Sequence, residues 1–431
     1  MREMKDSGVE WIGEIPAHWE INRLKSFVLT HFGGCWGDDA KGNENDVLCI
    51  RIADFDFSSQ TVKESASTMR NYTQAQIEKG LLKDSDLIIE KSGGGDKTPV
   101  GRVVVYDKSK FPKAMFANFS ECLRPKNIDN KFLAYQLKAL YYSVDMHYYF
   151  NQTTGLQNLD MQTYLNAMMC FPTMEDQQKI AAHLDRKCTQ IDALISNAQQ
   201  QIEKLKAYKQ SVITETVTKG LDPDVEMKDS GVEWIGEIPE HWDSVPIKAL
   251  FIIKKDIIGF EPQTVLSITQ NGIKIKDISE NSGQMANSYN NYQIVHIGDF
   301  AMNHMDLLTG GVGISEYEGV TSPDYRVFNL KDRRMNSRYF LYILEMYYRN
   351  KIFYAFGQGA ANLGRWRLPA QNFYAISIPV APISEQNQIV DYLNAKCSKL
   401  DQLIEIKRQK IEKLEQYKKS IIYEYVTGKR K

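Results

Sequence analysis

Residues 3–19 read EMKDSGVEWIGEIPAHW, and residues 226–242 read EMKDSGVEWIGEIPEHW. The two stretches differ only at Ala17 and Glu240, so the chain contains an internal repeat with an offset of 223 residues. We call these stretches the first and the second frame. A repeat of this length indicates the architecture, because each copy is expected to build the same local structure.

A second and more diverged repeat follows later in each half of the chain. Residues 177–218 align with residues 386–427 at an offset of 209, with 20 of 42 positions identical. The segments between the repeats, about 20–176 and 243–385, barely resemble each other. The chain therefore reads as constant, variable and constant, twice over. This pattern is typical of a protein that presents two different binding domains in one duplicated framework.

The repeats divide the chain into six segments. They are a segment that contains the first frame (1–19), a first variable domain (20–176), a central conserved helix (177–220), a linker with the second frame (221–242), a second variable domain (243–385) and a C-terminal conserved helix (386–431).

The two conserved helices have the heptad pattern of a coiled coil. Nine of the eleven a and d positions are apolar in each copy, which favours a coiled coil over a surface helix. Lys209 and Lys418 occupy equivalent a positions, where polar residues can fix the register. Thr173 and Ser384 are expected near the helix starts, and Gly220 and Gly428 just beyond the ends. The predicted seam residues are Leu184, Ile191, Ile195, Ile202, Leu205, Leu393, Leu400, Ile404, Ile411 and Leu414.

The matching seams favour pairing of the two helices within one chain. Pseudo-two-fold symmetry of the repeat favours an antiparallel arrangement. The alternative is that each helix packs on a partner subunit, because seams of this kind pair promiscuously.

The variable segments have mixed α/β character. Helices are expected over 130–150 and 336–356, and their many Tyr and Phe side chains (Tyr141, Tyr142, Tyr148, Tyr149, Tyr342, Tyr347, Tyr348, Tyr354) are interpreted as core rather than as base-stacking surfaces. Runs of β-branched residues predict strands at Val47–Ile52, Leu87–Glu90, Val100–Tyr106, Val265–Ile268, Asp299–Asn303 and Arg326–Leu330. The expected fold class is α/β (α+β), with two variable domains joined by two long helices in an intramolecular antiparallel coiled coil.

Composition and motifs argue against an enzyme, a metalloprotein and a membrane protein. The chain is 43% hydrophobic and 25% charged, and its six cysteines form no C-x-x-C pair. No apolar run reaches the roughly 20 residues that a membrane span needs, so we expect a cytoplasmic protein with reduced thiols. The glycine stretch ending in Lys97 and Thr98 has Asp96 where a phosphate-binding loop needs glycine. His18 and His241, each beside a Trp, are interpreted as packing residues.

The duplicated frame SGVEWIGEIPxHW resembles the specificity subunit of type I restriction–modification systems. The resemblance rests on residues 7–19 and 230–242, the stretches PTMEDQ (172–177) and APISEQ (381–386), and the two long helices. Thr173 and Ala381 replace prolines of the family pattern, and Asp176 replaces its Glu. The resemblance covers nearly the whole chain but is weak within the variable domains.

The resemblance implies a non-catalytic DNA reader. Each variable domain would read one half of a bipartite double-stranded DNA target, and the coiled coil would set the spacer between the halves. The frames and helices would dock two modification subunits, which methylate adenine with S-adenosylmethionine. Restriction subunits, dependent on ATP and Mg²⁺, would complete the complex. No cofactor and no metal are expected in this chain.

The variable domains carry little excess positive charge for binding phosphates. Residues 20–155 contain 18 Lys and Arg against 17 Asp and Glu, and residues 243–383 contain 14 against 12. We therefore expect local patches, polar loops and help from partner subunits. The candidate DNA-binding residues are Lys91, Ser92, Lys97, Thr98, Arg102, Gln152, Thr153, Thr154, Gln157, Asn158, Asn303, His304, Gln358, Asn362, Arg365 and Arg367.

Two other interpretations remain open from the sequence. The same framework could present protein-binding domains, which would show no salt-dependent affinity for DNA. Alternatively, the chain could be an enzyme with an unrecognised site, which would turn over substrate without partners.

Overall fold

The computed structural model describes residues 3–153, 155–262, 264–277, 288–359 and 366–430. The chain divides into two compact units. The first unit comprises Met1–Gln200 with Lys407–Lys431, and the second comprises Gln201–Ile406. Each unit thus contains one complete variable domain and a part of both conserved helices.

The first unit contains most of the strands. They are β1 (Met4–Asp6), β2 (Glu14–Pro16), β3 (Glu20–Arg23), β4 (Val28–Gly33), β5 (Asp38–Asp39), β6 (Asp46–Ile50), β7 (Phe55–Asp56), β8 (Thr61–Val62), β9 (Met69–Asn71), β10 (Leu87–Glu90), β11 (Ser92–Gly93), β12 (Val103–Val105), β13 (Ala114–Phe116), β14 (Ser120–Pro125), β15 (Phe150–Thr153), β16 (Leu156–Leu159) and β17 (Met168–Phe171). Its helices are α1 (Gln74–Gly80), α2 (Asn130–Ser143), α3 (Met161–Leu165) and the N-terminal part of α4 (Met174–Lys219), with 3-10 turns at Leu24–Phe27, Ile52–Asp54 and Met146–Tyr149.

Three sheets of three or more strands lie in the described part of the first variable domain, beside the two-stranded pair of β3 with β17. The largest has the strand order β4-β14-β10-β12-β8-β7, and a second has the order β13-β6-β9-β5. The third, with the order β11-β16-β15, is small and carries candidate site residues. One face of the largest sheet packs on α2, and the same apolar cluster includes Leu184 of α4 and Ile421 near the chain's C-terminus. The variable domain and the conserved helices therefore share one core in this unit.

The second unit is built in the same way from fewer strands. They are β18 (Met227–Asp229), β19 (Glu237–Pro239), β20 (Asp243–Pro246), β21 (Phe251–Lys254), β22 (Leu266–Thr269), β23 (Gly272–Ile275), β24 (Gln293–Val295), β25 (Phe300–Met302), β26 (Val312–Ile314), β27 (Gly319–Thr321), β28 (Arg326–Leu330) and β29 (Ser377–Val380). Its helices are α5 (Ile247–Leu250), α6 (Ser337–Arg349), α7 (Ile352–Ala355), α8 (Ala370–Ala375) and the N-terminal part of α9 (Ile383–Val426). The sheet β21-β28-β25-β26 packs on α6, and their cluster includes Leu393 of α9 and Val217 of α4.

The two frames adopt the same backbone structure in the same register. In the first frame Met4 pairs with Pro16, and in the second frame Met227 pairs with Pro239. The strand after each frame then pairs with the strand before each conserved helix, as β3 with β17 and β20 with β29. Each variable domain therefore begins and ends on one antiparallel strand pair.

Within each unit the conserved helices are antiparallel. In the first unit, His183 of α4 packs on Tyr425 of α9, and Asp192 of α4 binds Lys418 of α9. A later position along α4 therefore contacts an earlier position along α9. In the second unit, Lys209 binds Asp401. Because Lys209 and Lys418 are repeat equivalents, as are Asp192 and Asp401, each unit contains one copy of the same interhelical ion pair. The predicted antiparallel pairing of the two conserved helices is confirmed within each unit.

The predicted seam residues face inward to different degrees. Leu184, Ile191, Ile202, Leu393, Leu400 and Ile404 are buried, and Ile195, Leu205, Ile411 and Leu414 are half-buried.

A glutamine in each conserved motif ties the conserved helix to the variable domain. Gln177 accepts a hydrogen bond from the backbone N–H of Asp129 at 2.9 Å and donates to the carbonyl of Pro172 at 2.9 Å. Gln386 makes the equivalent bonds to Asn336 and Ala381 at 2.9 and 2.8 Å. Both side chains are buried. They join the start of α2 or α6 to the start of the following conserved helix.

Several predicted elements are shorter than the sequence pattern indicates. The helix expected over 130–150 ends at Ser143, because the Asp145 side chain accepts the N–H of His147 and starts a separate 3-10 turn. The helix expected over 336–356 breaks at Lys351, whose φ of 59° is left-handed.

Four of the predicted strands also differ in their bounds, one of them only by a shift of one residue, from Val265–Ile268 to Leu266–Thr269. The strand expected at Val100–Tyr106 begins only at Val103, because Gly101 has a φ of 110°. The strand expected at Val47–Ile52 ends at Ile50, because Ile52 starts a 3-10 turn. The strand expected at Asp299–Asn303 covers Phe300–Met302.

Two of the aromatic side chains interpreted as core are on the surface. Tyr142 is 45% exposed and Tyr148 is 75% exposed, so the prediction of core packing is wrong for both. Tyr149, Tyr347 and Tyr348 are buried as predicted. Among the described residues, no helix is both long enough and apolar enough to cross a membrane.

Candidate nucleic-acid interface

In the first unit, two candidate stretches that lie far apart in the sequence meet in the sheet β11-β16-β15. Ser92 pairs with Asn158, and Gln152 pairs with Gln157. The Ser92 hydroxyl also donates a hydrogen bond to Asn158 Oδ1 at 2.6 Å. We call Ser92, Gln152, Gln157 and Asn158 the first polar edge.

Gln157 holds the glycine loop, residues 93–98, against this edge. Its side chain is fully buried, and its Oε1 accepts the backbone N–H of Val100 at 3.2 Å. Gly94 has a φ of 64°, and a Cβ added there would lie 2.6 Å from Gln157 Oε1. Glycine is therefore required for this close approach, and Gln157 positions the loop instead of facing solvent.

The tip of the glycine loop is a tight turn. Gly95 and Thr98 exchange two backbone hydrogen bonds, of 3.1 and 3.0 Å, with Asp96 and Lys97 between them. Lys97, Thr98 and Gln152 are exposed. These side chains can therefore reach a ligand in solution without rearrangement.

The other two cationic candidates are paired with buried carboxylates. Lys91 Nζ lies 2.6 Å from Glu121, whose second oxygen lies 2.6 Å from His31. Arg102 forms a two-pronged pair with Glu90 at 2.7 and 2.9 Å. Charge-assisted pairs of this geometry are strong, so Lys91 and Arg102 stabilise the strand ends and add no net charge to the surface.

The second unit repeats the arrangement with different side chains. Gln358 and Arg367 form an antiparallel bridge, with N–H to carbonyl distances of 2.8 and 3.1 Å. The next residue, Leu368, donates its N–H to the carbonyl of His304 at 2.9 Å. We call Asn303, His304, Gln358 and Arg367 the second polar edge.

The same contact exists in the first unit. There Leu159 donates its N–H to the carbonyl of Lys91 at 2.7 Å. Leu159 and Leu368 each lie two residues before a short helix, and Lys91 and His304 each follow a central strand of the main sheet. The two polar edges are therefore equivalent positions of one backbone design, although the two variable segments barely resemble each other.

Asn303 and His304 have different roles at the second polar edge. Asn303 Oδ1 accepts the N–H of Met305 at 3.2 Å and closes a turn. Burial, together with the charges of Arg326 and Arg367, lowers the pKa of His304 to about 3, so its imidazole is neutral at physiological pH.

Some of the candidate residues fall outside the described structure. Thr154, Asn362 and Arg365 lie outside the described residues, and Thr153 is described only through its backbone pairing with Leu156. Two charged residues beside the polar edges, Glu121 and Arg326, were not among the candidates. Both are buried, and only the strand register, which depends on tertiary structure, places them there.

The histidine and tryptophan that end each frame contact the start of a conserved helix. In the second unit, Glu385 accepts a hydrogen bond from Trp242 Nε1 at 2.9 Å and binds His241 Nε2 at 2.7 Å. In the first unit, Asp176 stands at the equivalent position, and its shorter carboxylate lies 4.0 Å from His18 Nε2. The packing role predicted for His241 thus includes a direct polar contact.

This difference predicts unequal sensitivity to mutation. Glu385→Ala should lower the free energy of unfolding of the second unit by about 2 kcal/mol, because it leaves the buried Trp242 N–H without its acceptor. Asp176→Ala, the matched control in the first unit, should cost less than about 1 kcal/mol, because its ion pair is long and exposed. Urea unfolding followed by tryptophan fluorescence measures both. Equal losses in the two variants would contradict this assignment.

The chain is similar to a known protein family in both of its halves. A family model described as "Type I restriction modification DNA specificity domain" matches residues 49–204 and again residues 239–416. The matches cover most of both variable domains and the conserved helices. Within the described residues, no group of three or more His, Cys, Asp or Glu side chains is placed to hold a metal ion.

Individual relatives cover nearly the whole chain. The type I restriction enzyme MjaVIII specificity subunit of Methanocaldococcus jannaschii is 27% identical over 448 residues, covering 96% of this chain and 93% of the relative. A chain in the structure described as "Structural basis underlying complex assembly and conformational transition of the type I R-M system" is 12% identical, with a TM-score of 0.67 and coverage of 96% and 98%. The HsdS subunit from Thermoanaerobacter tengcongensis is 13% identical, with a TM-score of 0.50 and the same coverage.

Proposed function

The chain belongs to the type I restriction modification DNA specificity family, and from this membership we propose that each unit reads one half of a bipartite DNA target at its polar edge. The observation that carries the proposal is the duplication of the edge. Two variable segments with little sequence similarity place different polar side chains on the same backbone arrangement, as two readers of different half-sites require.

The side chains at the edges suit base recognition. Gln152 and Asn158 in the first unit, and Gln358 in the second, carry amides that can pair with adenine edges, and the exposed Arg367 suits contact with a phosphate. Lys97 and Thr98 are exposed beside the first edge and suit contacts with phosphates. Ser92, Gln157, Asn303 and His304 position these groups through the contacts described above.

The partners supply what this chain lacks for DNA modification. The paired cations Lys91 and Arg102 give the first edge no net charge, so much of the phosphate binding has to come from the rest of the complex. We propose that two modification subunits dock on the frames and conserved helices and methylate adenine with S-adenosylmethionine. Restriction subunits dependent on ATP and Mg²⁺ complete the assembly, and this chain acts as a recognition subunit without catalysis of its own.

We also propose that α4 and α9 set the spacer between the half-sites. Both helices supply residues to both units, and both keep their register through equivalent ion pairs. Their length is therefore the property of the chain best suited to fix the number of unread base pairs.

Selection of duplexes from a random library by the complex with its modification subunit tests these proposals. The wild-type chain is expected to enrich a split motif. Removing one heptad from each helix, Gln199–Leu205 and Arg408–Leu414, preserves both ion pairs and shortens each helix by about 10 Å. The enriched motif should then keep both halves and lose about three base pairs of spacer, at roughly 3.4 Å per pair.

A matched control separates helix length from helix sequence. Replacing the exposed residues of the same two heptads with Ala, without deletion, should leave the spacer unchanged. A deleted chain that selects the original spacer would exclude the helices as the measuring element. A wild-type complex that enriches no sequence would count against DNA recognition itself.

A further inference from the structure

One strand position beside the polar edge carries opposite charges in the two units. In the first unit Glu121 of β14 pairs with Ile89 of β10, and Lys91 follows two residues later. In the second unit Arg326 of β28 pairs with Met302 of β25, and His304 follows two residues later. Since the carbonyls of Lys91 and His304 both hold the equivalent leucine, Glu121 and Arg326 occupy the same place in the fold.

In the first unit the charge at this position is neutralised. Glu121 is 4% exposed, and its two oxygens lie 2.6 Å from Lys91 Nζ and 2.6 Å from His31 Nδ1. The carboxylate and the lysine cancel each other directly beneath the polar edge. The first edge is therefore left to recognise DNA through uncharged side chains and the exposed loop tip.

In the second unit the charge at this position is not neutralised by any described carboxylate. Arg326 is also 4% exposed, and its Nη2 donates to the carbonyl of Leu368 at 2.8 Å. Its guanidinium lies 4.7 Å from the ring of Phe373, while its Nη1 has no hydrogen-bond partner in the described structure. Burial lowers the pKa of Arg326 to about 10, so it remains charged at neutral pH.

None of the described neighbours of Arg326 compensates its charge. His304 is neutral at physiological pH, and its buried Nδ1 has no hydrogen-bond partner within the described ranges. Arg367, at the equivalent position to Asn158, is exposed and adds a second positive charge at the same edge. An unpaired buried charge is costly to the fold, and its field is less screened than that of a surface charge.

We propose that Arg326 is a positioning residue, which strengthens the binding of a DNA phosphate by Arg367 at the second polar edge. The inference rests on the proposed DNA recognition. The two half-sites are then bound differently. The first is recognised mainly through uncharged hydrogen-bonding side chains, whereas the second is bound by a cationic edge that also contacts the DNA backbone. Arg326 acts from beneath the surface, through Arg367 and through its bond to the carbonyl of Leu368.

The salt dependence of DNA binding tests this role. The complex with the modification subunit is titrated onto a duplex carrying its selected target, at several salt concentrations. Each phosphate neutralised contributes about 0.9 to the slope of log K against log salt. Arg326→Met is expected to lower the magnitude of that slope by about 1, and Arg326→Lys, which keeps the charge, should retain the wild-type slope.

Two further variants show whether a change in the slope results from misfolding or from a general loss of positive charge. Arg367→Gln changes only an exposed side chain and should also lower the slope by about 1. Arg334→Met removes an arginine of the same unit whose side chain is 82% exposed and paired with Asp332, and it should leave the slope unchanged.

The outcomes distinguish this inference from the proposed function. Lower affinity at an unchanged slope in Arg326→Met would reduce Arg326 to a structural role and overturn the proposal. An unchanged slope in Arg367→Gln would overturn it independently of how Arg326→Met folds. A wild-type complex with no preference for any DNA sequence would instead contradict DNA recognition, and with it the premise of the inference.

Discussion

Exchanging residues 20–176 for the corresponding segment of another member of the family is expected to change one half of the recognised DNA sequence and leave the other half unchanged. The structure supports clean exchange at these bounds. The segment carries both β3 and β17, which pair with each other, so the strands that open and close the domain move together. Gln177 stays behind in the conserved helix and can bind the new domain as it binds Asp129.

The exchange is measured by mapping modified bases in DNA from cells that express the chimaera with its modification subunit. The reciprocal exchange of residues 243–385 is the matched control and should change only the other half. If either chimaera alters both halves, or if neither alters any, the assignment of one half-site to each unit is wrong.

Lys418→Glu is expected to destabilise the first unit strongly. The Lys418 side chain is 9% exposed and binds both oxygens of Asp192, at 2.6 and 2.7 Å, and the carbonyl of Ser58 at 2.9 Å. Reversal of its charge sets two carboxylates against each other in a nearly buried place. We expect a loss of about 3 kcal/mol in the free energy of unfolding, the lower end of the cost of breaking a buried pair, because Asp192 keeps some access to water.

The other copy of the ion pair provides the control. Lys209 and Asp401 are 23% and 59% exposed, so Lys209→Glu should cost only about 1 kcal/mol. Urea unfolding of both variants, with Lys413→Glu as an exposed control on the same helix as Lys418, measures the difference. Equal effects of Lys418→Glu and Lys413→Glu would contradict a stabilising role for the buried pair.

The architecture could be predicted from the sequence because it depends on repeats and periodicity. The frames, the heptads and the equivalence of Lys209 with Lys418 all imply a two-fold design. The acidic partners of these lysines, Asp192 and Asp401, are visible in the same repeat, but only the antiparallel register brings each to the lysine of the other copy. The sequence pattern does not predict where a single residue interrupts a strand or a helix. Gly101 and Lys351 have left-handed backbone conformations, and these interrupt the patterns that favour a strand at 100–106 and a helix at 336–356.

The candidate site could be predicted only as two separate polar groups in each domain. Ser92 and Asn158 lie on different strands, and their pairing depends on a sheet register that no local pattern reveals. The buried carboxylates that engage Lys91 and Arg102 were missed for the same reason. From the sequence, Arg326 is expected only as the first residue of a strand, because burial without a carboxylate partner among the described residues is a property of the tertiary structure.

The central claim is that one chain reads two different half-sites. Long-read sequencing of DNA from cells that express this chain with its modification subunit, which maps modified adenines across the genome, tests it most directly. The account predicts a single split motif, with a modified adenine in each half and a spacer of constant length. A contiguous motif, or no modified motif when the two proteins form a stable complex, would contradict it.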